Sequence, residues 1–204
     1  MTDRRLLLRA LLGALAVHGW AATSPAWAQA DRAADLEKLF ALFAAQGERR
    51  KAFVERRHSI LFRNPPETRG TLYFKPPALL ERDAISPRRE TVRINAESVT
   101  LRTEGDDGKV VERKASLATI PQLANLVLTI RATLAGDLAT LRRMYLIDMK
   151  QPLPRWRIEL APIDDPGANG VNAISMAGEG GEVHRIEFTE TSGDRTELLL
   201  SAAR

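Results

Sequence analysis

Beyond residue 50 the sequence breaks into short stretches of β-forming residues, each ended by Pro, Gly, Asn or Asp. They read KAFVERRHSILF at 51–62, RGTLYFK at 69–75, then ALLERDAIS, ETVRINA, ESVTLRT and KVVERKA. After one interruption follow YLIDMK, RWRIELAP, VNAISMAG, EVHRIEFTE and RTELLLS. This is the rhythm of strands and tight turns. EGDDGK at 104–109 reads as a hairpin loop, and GEGG and TSGD read as turns between the last three strands. Links this short join antiparallel neighbours, because a parallel pair needs a crossover of a dozen residues or more.

Helical periodicity is confined to two places. Leu36, Leu39, Phe40 and Phe43 form one apolar stripe within a helix expected from Asp31 to Gln46, and Gly47 stands where a C-terminal cap belongs. Ile120 to Met144 is the interruption between strands. Pro121 suits a first helical position. Leu123, Leu126, Val127, Ile130 and Leu134 are expected on one face, with Gln122, Asn125, Thr129 and Thr133 on the other. Gly136 ends that helix, and Asp137 caps a second one carrying Leu138 and Leu141. Neither helical region is a βαβ crossover, so the fold class is α+β, built on one large antiparallel sheet of about eleven strands with three helices.

The N-terminus has a separate purpose. Arg4, Arg5 and Arg9 precede an uncharged, mostly apolar run from Ala10 to Ala22, and small residues then alternate in SPAWAQA. That order is a cleaved secretory signal, expected at residues 1–28 with an alternative end at residue 30. The apolar run is too short for a spanning helix. One domain, 29–204, is expected to remain. Removing three basic residues and one acidic residue lowers the net charge from +4 to +2, so the high pI is partly the leader's. No basic patch with interleaved aromatics points to nucleic acid. The absence of cysteine leaves packing and hydrogen bonds to hold the fold.

Catalytic constellations are missing. There is no G-x-S-x-G elbow and no Cys nucleophile. His58 and His184 fall on separate strands and read as surface residues, and no spacing suits a metal. GEGGEV fails the dinucleotide pattern because Val183 stands where the last glycine belongs. The acidic pairs Asp106-Asp107 and Asp164-Asp165 lie in turn-like contexts. Neither an enzyme nor a cofactor is expected.

The order of the pieces carries more information than any single motif. An amphipathic helix leads into F-V-E-R-R, R-G-T-L-Y-F-K-P-P and P-R-R-E. Two mid-chain helices with L-A-G-D follow, then R-W-R-I-E-L-A-P and a closing G-E-V-H-R-I-E-F with T-S-G-D-R-T. Over nearly the whole mature chain this resembles LolA, the periplasmic outer-membrane lipoprotein carrier family, in a related branch of it. The resemblance implies a strongly curved, incompletely closed antiparallel β-barrel whose concave face is covered by helices acting as a lid. It also implies an acyl-chain cavity, an acylated cargo (lipoprotein or glycolipid), an inner-membrane export machinery, an outer-membrane acceptor, a periplasmic location and a monomer. An envelope lipid or stress sensor on the same scaffold is the alternative, and a cryptic hydrolase a more distant one.

Alternation supplies candidate lining residues, since a lipid site needs a concave apolar wall. They are Leu72, Phe74, Leu80, Val92, Ile94, Leu101, Trp156, Ile158, Ile174 and Met176 from the strands, with Leu126 and Ile130 facing them from the helix. In the family an arginine just before a proline at the end of the second strand hydrogen-bonds to the lid helices. Aligning R-G-T-L-Y-F-K-P-P puts Pro76 there, so that tie is expected to be lost. Alternation points Lys75 outward, leaving Arg131 as the candidate substitute.

Overall fold

The structure, a computed structural model, describes residues 26–105, 107–164 and 170–203. The leader reading therefore lies outside the described residues except for its last three.

Among the described residues eleven strands form one sheet. They are β1 (Arg49–His58), β2 (Glu67–Lys75), β3 (Leu79–Ser86), β4 (Glu90–Ile94), β5 (Ser98–Glu104), β6 (Val110–Ser116), β7 (Tyr145–Gln151), β8 (Arg155–Pro162), β9 (Val171–Glu179), β10 (Glu182–Glu190) and β11 (Arg195–Ala202). The order is β6-β5-β4-β3-β2-β1-β11-β10-β9-β8-β7, antiparallel throughout. Two meanders, β1–β6 and β7–β11, thus meet where β1 pairs with β11 in the middle of the sheet. β6 and β7 are unpaired edges, so the curved sheet is an open barrel. The α+β assignment and the incomplete antiparallel barrel expected from the sequence are what the structure has.

Three helices cover the concave face: α1 (Ala26–Ala45), α2 (Pro121–Ala135) and α3 (Leu138–Met144). α1 starts five residues before Asp31 because AWAQA continues the helix-forming composition. A 3₁₀ turn at Leu117–Thr119, capped by the Ser116 hydroxyl, carries the chain from β6 into α2.

The apolar interior has three parts, and their positions decide where space is left. Leu36, Leu39, Phe40 and Phe43 of α1, with Leu138 and Leu141 of α3, pack on Met149, Trp156, Ile158, Leu160 and Ile174 of β7–β9. The start of α2 packs through Val127 on Ile94 and Val99 of β4–β5. Between them, Phe53, Ala84 and Leu198 form a small cluster at the β1–β11 junction, with no helix among its buried members. Gly136 lets α1 and α2 approach. It ends α2 in the left-handed region at φ 73°, and a Cβ there would overlap the Phe40 carbonyl oxygen and the Ala44 side chain.

One sequence expectation about α2 fails. Thr129 and Thr133, assigned to its polar face, are buried. Their hydroxyls donate to carbonyls one turn back, Thr129 to Asn125 and Thr133 to Thr129, each at 2.8 Å, and Thr129 also meets the Tyr145 hydroxyl at 2.8 Å. A threonine satisfied by its own helix can be buried at little cost, and composition does not reveal that.

Candidate functional site

The uncovered stretch between α2 and the middle strands is a cavity of about 680 Å³. Register explains its wall. Lys51 pairs with Leu72, Leu72 with Arg82, Phe74 with Leu80, Leu80 with Ile94, and Arg82 with Val92, so these side chains share the concave face. Across the β1–β11 junction Ile186 pairs with Leu198 and with Met176. Leu123, Leu126, Ile130 and Leu134 of α2 form the roof.

Eight of the twelve candidate residues line this cavity: Leu72, Phe74, Leu80, Val92, Ile94, Leu126, Ile130 and Met176. The other four are not among its lining. Trp156, Ile158 and Ile174 lie beneath α1, each 1% exposed or less. Trp156 stacks edge-on with Phe43 at 5.4 Å and donates its indole N–H to the Gly180 carbonyl at 2.9 Å. Leu101 shares the concave face with Val92 but is half-buried on β5, outside the lining. The reason is the asymmetry of the lid. α1 and α3 press onto β7–β9 and exclude space there, which strand alternation cannot foretell.

The structure also places charge inside. Arg49, Lys51, Glu55 and Arg82 share the strand parity of Phe53, Leu80 and Ala84, and all four line the cavity. Arg82 bonds to Glu55 and Glu90, each at 3.1 Å, with its guanidinium 5.1 Å above the Phe53 ring. Lys51 pairs with Glu182. These charges compensate one another, as partly buried ions must. Alternation of charge with apolar residues at inward positions was the sequence signal for this polar band.

Arg49 is the residue the sequence reading missed. It sits at the start of β1, directly after the turn that follows α1. Its guanidinium donates to the Phe43 carbonyl of α1 and the Leu134 carbonyl of α2, both at 2.8 Å, to Gln46 Oε1 at 2.9 Å and to the Gly47 carbonyl at 3.3 Å. Both helix carbonyls belong to final turns, where backbone acceptors lack partners and the dipole favours a cation. A planar fork serves several such acceptors at once. Burial lowers the guanidinium pKa, and the Glu182 carboxylate opposes that shift.

Pro76 is exposed and has no donor to offer, as expected. Arg49 on the neighbouring strand holds both helices instead, a substitute that the sequence reading did not name. Arg131 adds a second tie from the far side. It donates from α2 to the Asn95 carbonyl at 2.5 Å and the Ala96 carbonyl at 3.5 Å in the β4–β5 turn. Burial lowers its pKa too.

Among the described residues no cluster of three or more His, Asp or Glu could hold a metal. His184 is exposed, while His58 is half-buried with an enclosed, unpaired Nε2, a correction to its reading as a surface residue.

No curated protein matches the sequence. Among solved structures, a LolA superfamily protein from Nitrosomonas europaea aligns with 84% of this chain and 91% of its own, at 12% identity and a TM-score of 0.41. LprF from Mycobacterium bovis aligns with 82% of this chain and 92% of its own, at 10% identity and a TM-score of 0.41. Residues 28–204 match the family described as outer membrane lipoprotein carrier protein LolA-like, and the chain belongs to that family of lipoprotein-binding, carrier-type proteins.

Proposed function

We propose that this protein is a periplasmic carrier that holds the acyl part of a lipidated cargo in its cavity and moves it from inner to outer membrane. The observation that carries this reading is the apolar cavity of about 680 Å³ between α2 and the β1–β11 region, roofed by helices that arginines tie down. Each methylene removed from water contributes about 0.8 kcal/mol, so an acyl chain is the ligand such a wall rewards. If a methylene fills roughly the 30 Å³ of a liquid water, the cavity takes about twenty of them. That matches one long chain, and three would need the lid to rise. Loading then breaks the Arg49 and Arg131 ties, and release remakes them, with no covalent step and no energy source in the protein.

The cargo is a lipoprotein or glycolipid, passed from an inner-membrane export machinery to an outer-membrane acceptor by a monomeric domain spanning 29–204. Native mass spectrometry with lipid extraction, on protein purified from its own periplasm, tests the proposal. A co-purifying acylated species is expected. Protein that is empty there, and that no long-chain acyl ligand enters in vitro, would refute it.

A further inference from the structure

The loop between β1 and β2, residues 59–66, carries an apolar tip that none of the described residues covers. Ile60 is fully exposed, Leu61 is 82% exposed and Phe62 47%. The tip is built rather than frayed. The Phe62 N–H donates to the Ser59 carbonyl at 3.1 Å, and the Leu61 N–H to the Ser59 hydroxyl at 3.4 Å. The Arg57 N–H closes the base on the Pro66 carbonyl at 3.2 Å. Ile85, 60% exposed, lies at the same end of the sheet, where the β2–β3 pairing shifts register at Arg69.

Arginines share this end of the sheet. Arg63 follows the tip in the loop, and Arg88 and Arg89 occupy the adjacent β3–β4 turn. All three are exposed, and none has an ion pair among the described residues. Of the nearby acids Glu104, whose N–H donates to the Arg89 carbonyl at 3.2 Å, has no ion pair among the described residues, and it offsets one of the three arginines. Glu67 pairs with Arg56 and Arg69, and Glu190 and Asp194 pair with Arg57. The surplus charge here is therefore positive.

We propose that this tip docks the protein on a bilayer surface rich in anionic headgroups. Ile60, Leu61 and Phe62 enter the interfacial zone while Arg63, Arg88 and Arg89 meet the lipid phosphates. A convex tip of three side chains suits a lipid interface, where a few apolar groups and cations add together. It is too small for a stable protein interface, which buries about 800 Å² per partner. The direction of the cavity fits. On β1 the lining runs from Arg49 at the lid to Glu55, three residues before the end of the strand, and Thr196 and Glu190 continue it at the same rim. Docking would bring that polar end of the cavity to the membrane; this last step rests on the carrier reading, while the docking does not.

Flotation of the mature protein with mixed phosphatidylcholine–phosphatidylglycerol vesicles, against phosphatidylcholine alone, tests it. Wild type should float with the anionic vesicles. Replacing Ile60, Leu61 and Phe62 by Ser together should weaken partitioning at least tenfold. Replacing Arg63, Arg88 and Arg89 by Gln should remove the preference for phosphatidylglycerol, by about fivefold per arginine. All six positions are exposed, so thermal unfolding and displacement of an apolar probe from the cavity should match wild type. Wild type left behind by anionic vesicles, or a serine variant that floats equally well, overturns the proposal. So does a tip that cross-links in native envelopes to a protein in place of lipid. Docking without acyl binding would sink the carrier reading and leave this one standing.

Discussion

Replacing Arg49 with Ala should open the lid without dismantling the barrel. The side chain makes two 2.8 Å bonds to helix-terminal carbonyls, Phe43 on α1 and Leu134 on α2. A hydrogen bond from a charged donor contributes about 1.5–3 kcal/mol, so the pair at the lower end gives about 3 kcal/mol. Water reaching the freed carbonyls returns part of that, leaving about 2 kcal/mol. Two kilocalories raise the open fraction about thirtyfold. Binding of an apolar fluorescent probe that must wait for opening should accelerate by the same factor, with unchanged stoichiometry. The melting temperature should fall by roughly 4–8 °C. Arg49→Lys keeps the charge but loses the fork, so it should fall between the two, near fivefold. Stopped-flow probe binding on wild type and both variants decides the matter. A melting temperature that drops while the association rate stays within twofold of wild type would show that Arg49 props the fold and does not govern entry.

Ile130 is half-buried in the roof and Phe74 only 2% exposed, so Ile130→Asp should keep the fold and weaken acyl binding by about a hundredfold, whereas Phe74→Asp should also destabilise the sheet. Circular dichroism alongside a probe-displacement titration separates the two, and unfolding of the Ile130 variant would make that residue core. Trp156 is the sole tryptophan after residue 30 and lies under Phe43, so ligand entry should leave its emission maximum nearly unmoved while displacement of α1 shifts it red. Asp137 caps α3 through the Thr140 N–H at 2.9 Å, and bonds from Thr140 hold its carboxyl below the usual pKa. Its contribution is present above the ordinary carboxylate range and is lost as the pH falls through the folded value. Asp137→Ala should therefore lower the melting temperature by roughly 2–4 °C at neutral pH, for a loss of about 1 kcal/mol, and less at acid pH. N-terminal sequencing of exported protein should give Gln29 or Asp31, and a retained leader would refute the signal reading.

Much of the architecture was legible because antiparallel meanders write their register locally. Alternation in RGTLYFK and RWRIELAP marked the strands, Gly136 and Asp137 marked the break between α2 and α3, and the turn dipeptides did the rest. The division of the concave face was not legible. Trp156 and Leu72 carry the same alternation signal, yet α1 packs on the first and leaves the second beside open space. Which strands a helix covers depends on long-range docking, here the close approach at Gly136, and no local pattern encodes it. Arg49 escaped notice for a related reason. Its value lies in two carbonyls brought together from residues 43 and 134, and one of these is distant in sequence.

The junction of β1 with β11 sets when the molecule can first exist. Lys51 pairs with Ala202, so the central seam forms only when the first described strand meets the last. Until then β1 is an open edge with Phe53 uncovered, and the two meanders lack a common surface. Contacts between distant parts of a chain form slowly, because loop closure precedes any reward. Each meander must therefore order by itself first, and the seam that joins them is the late step of folding.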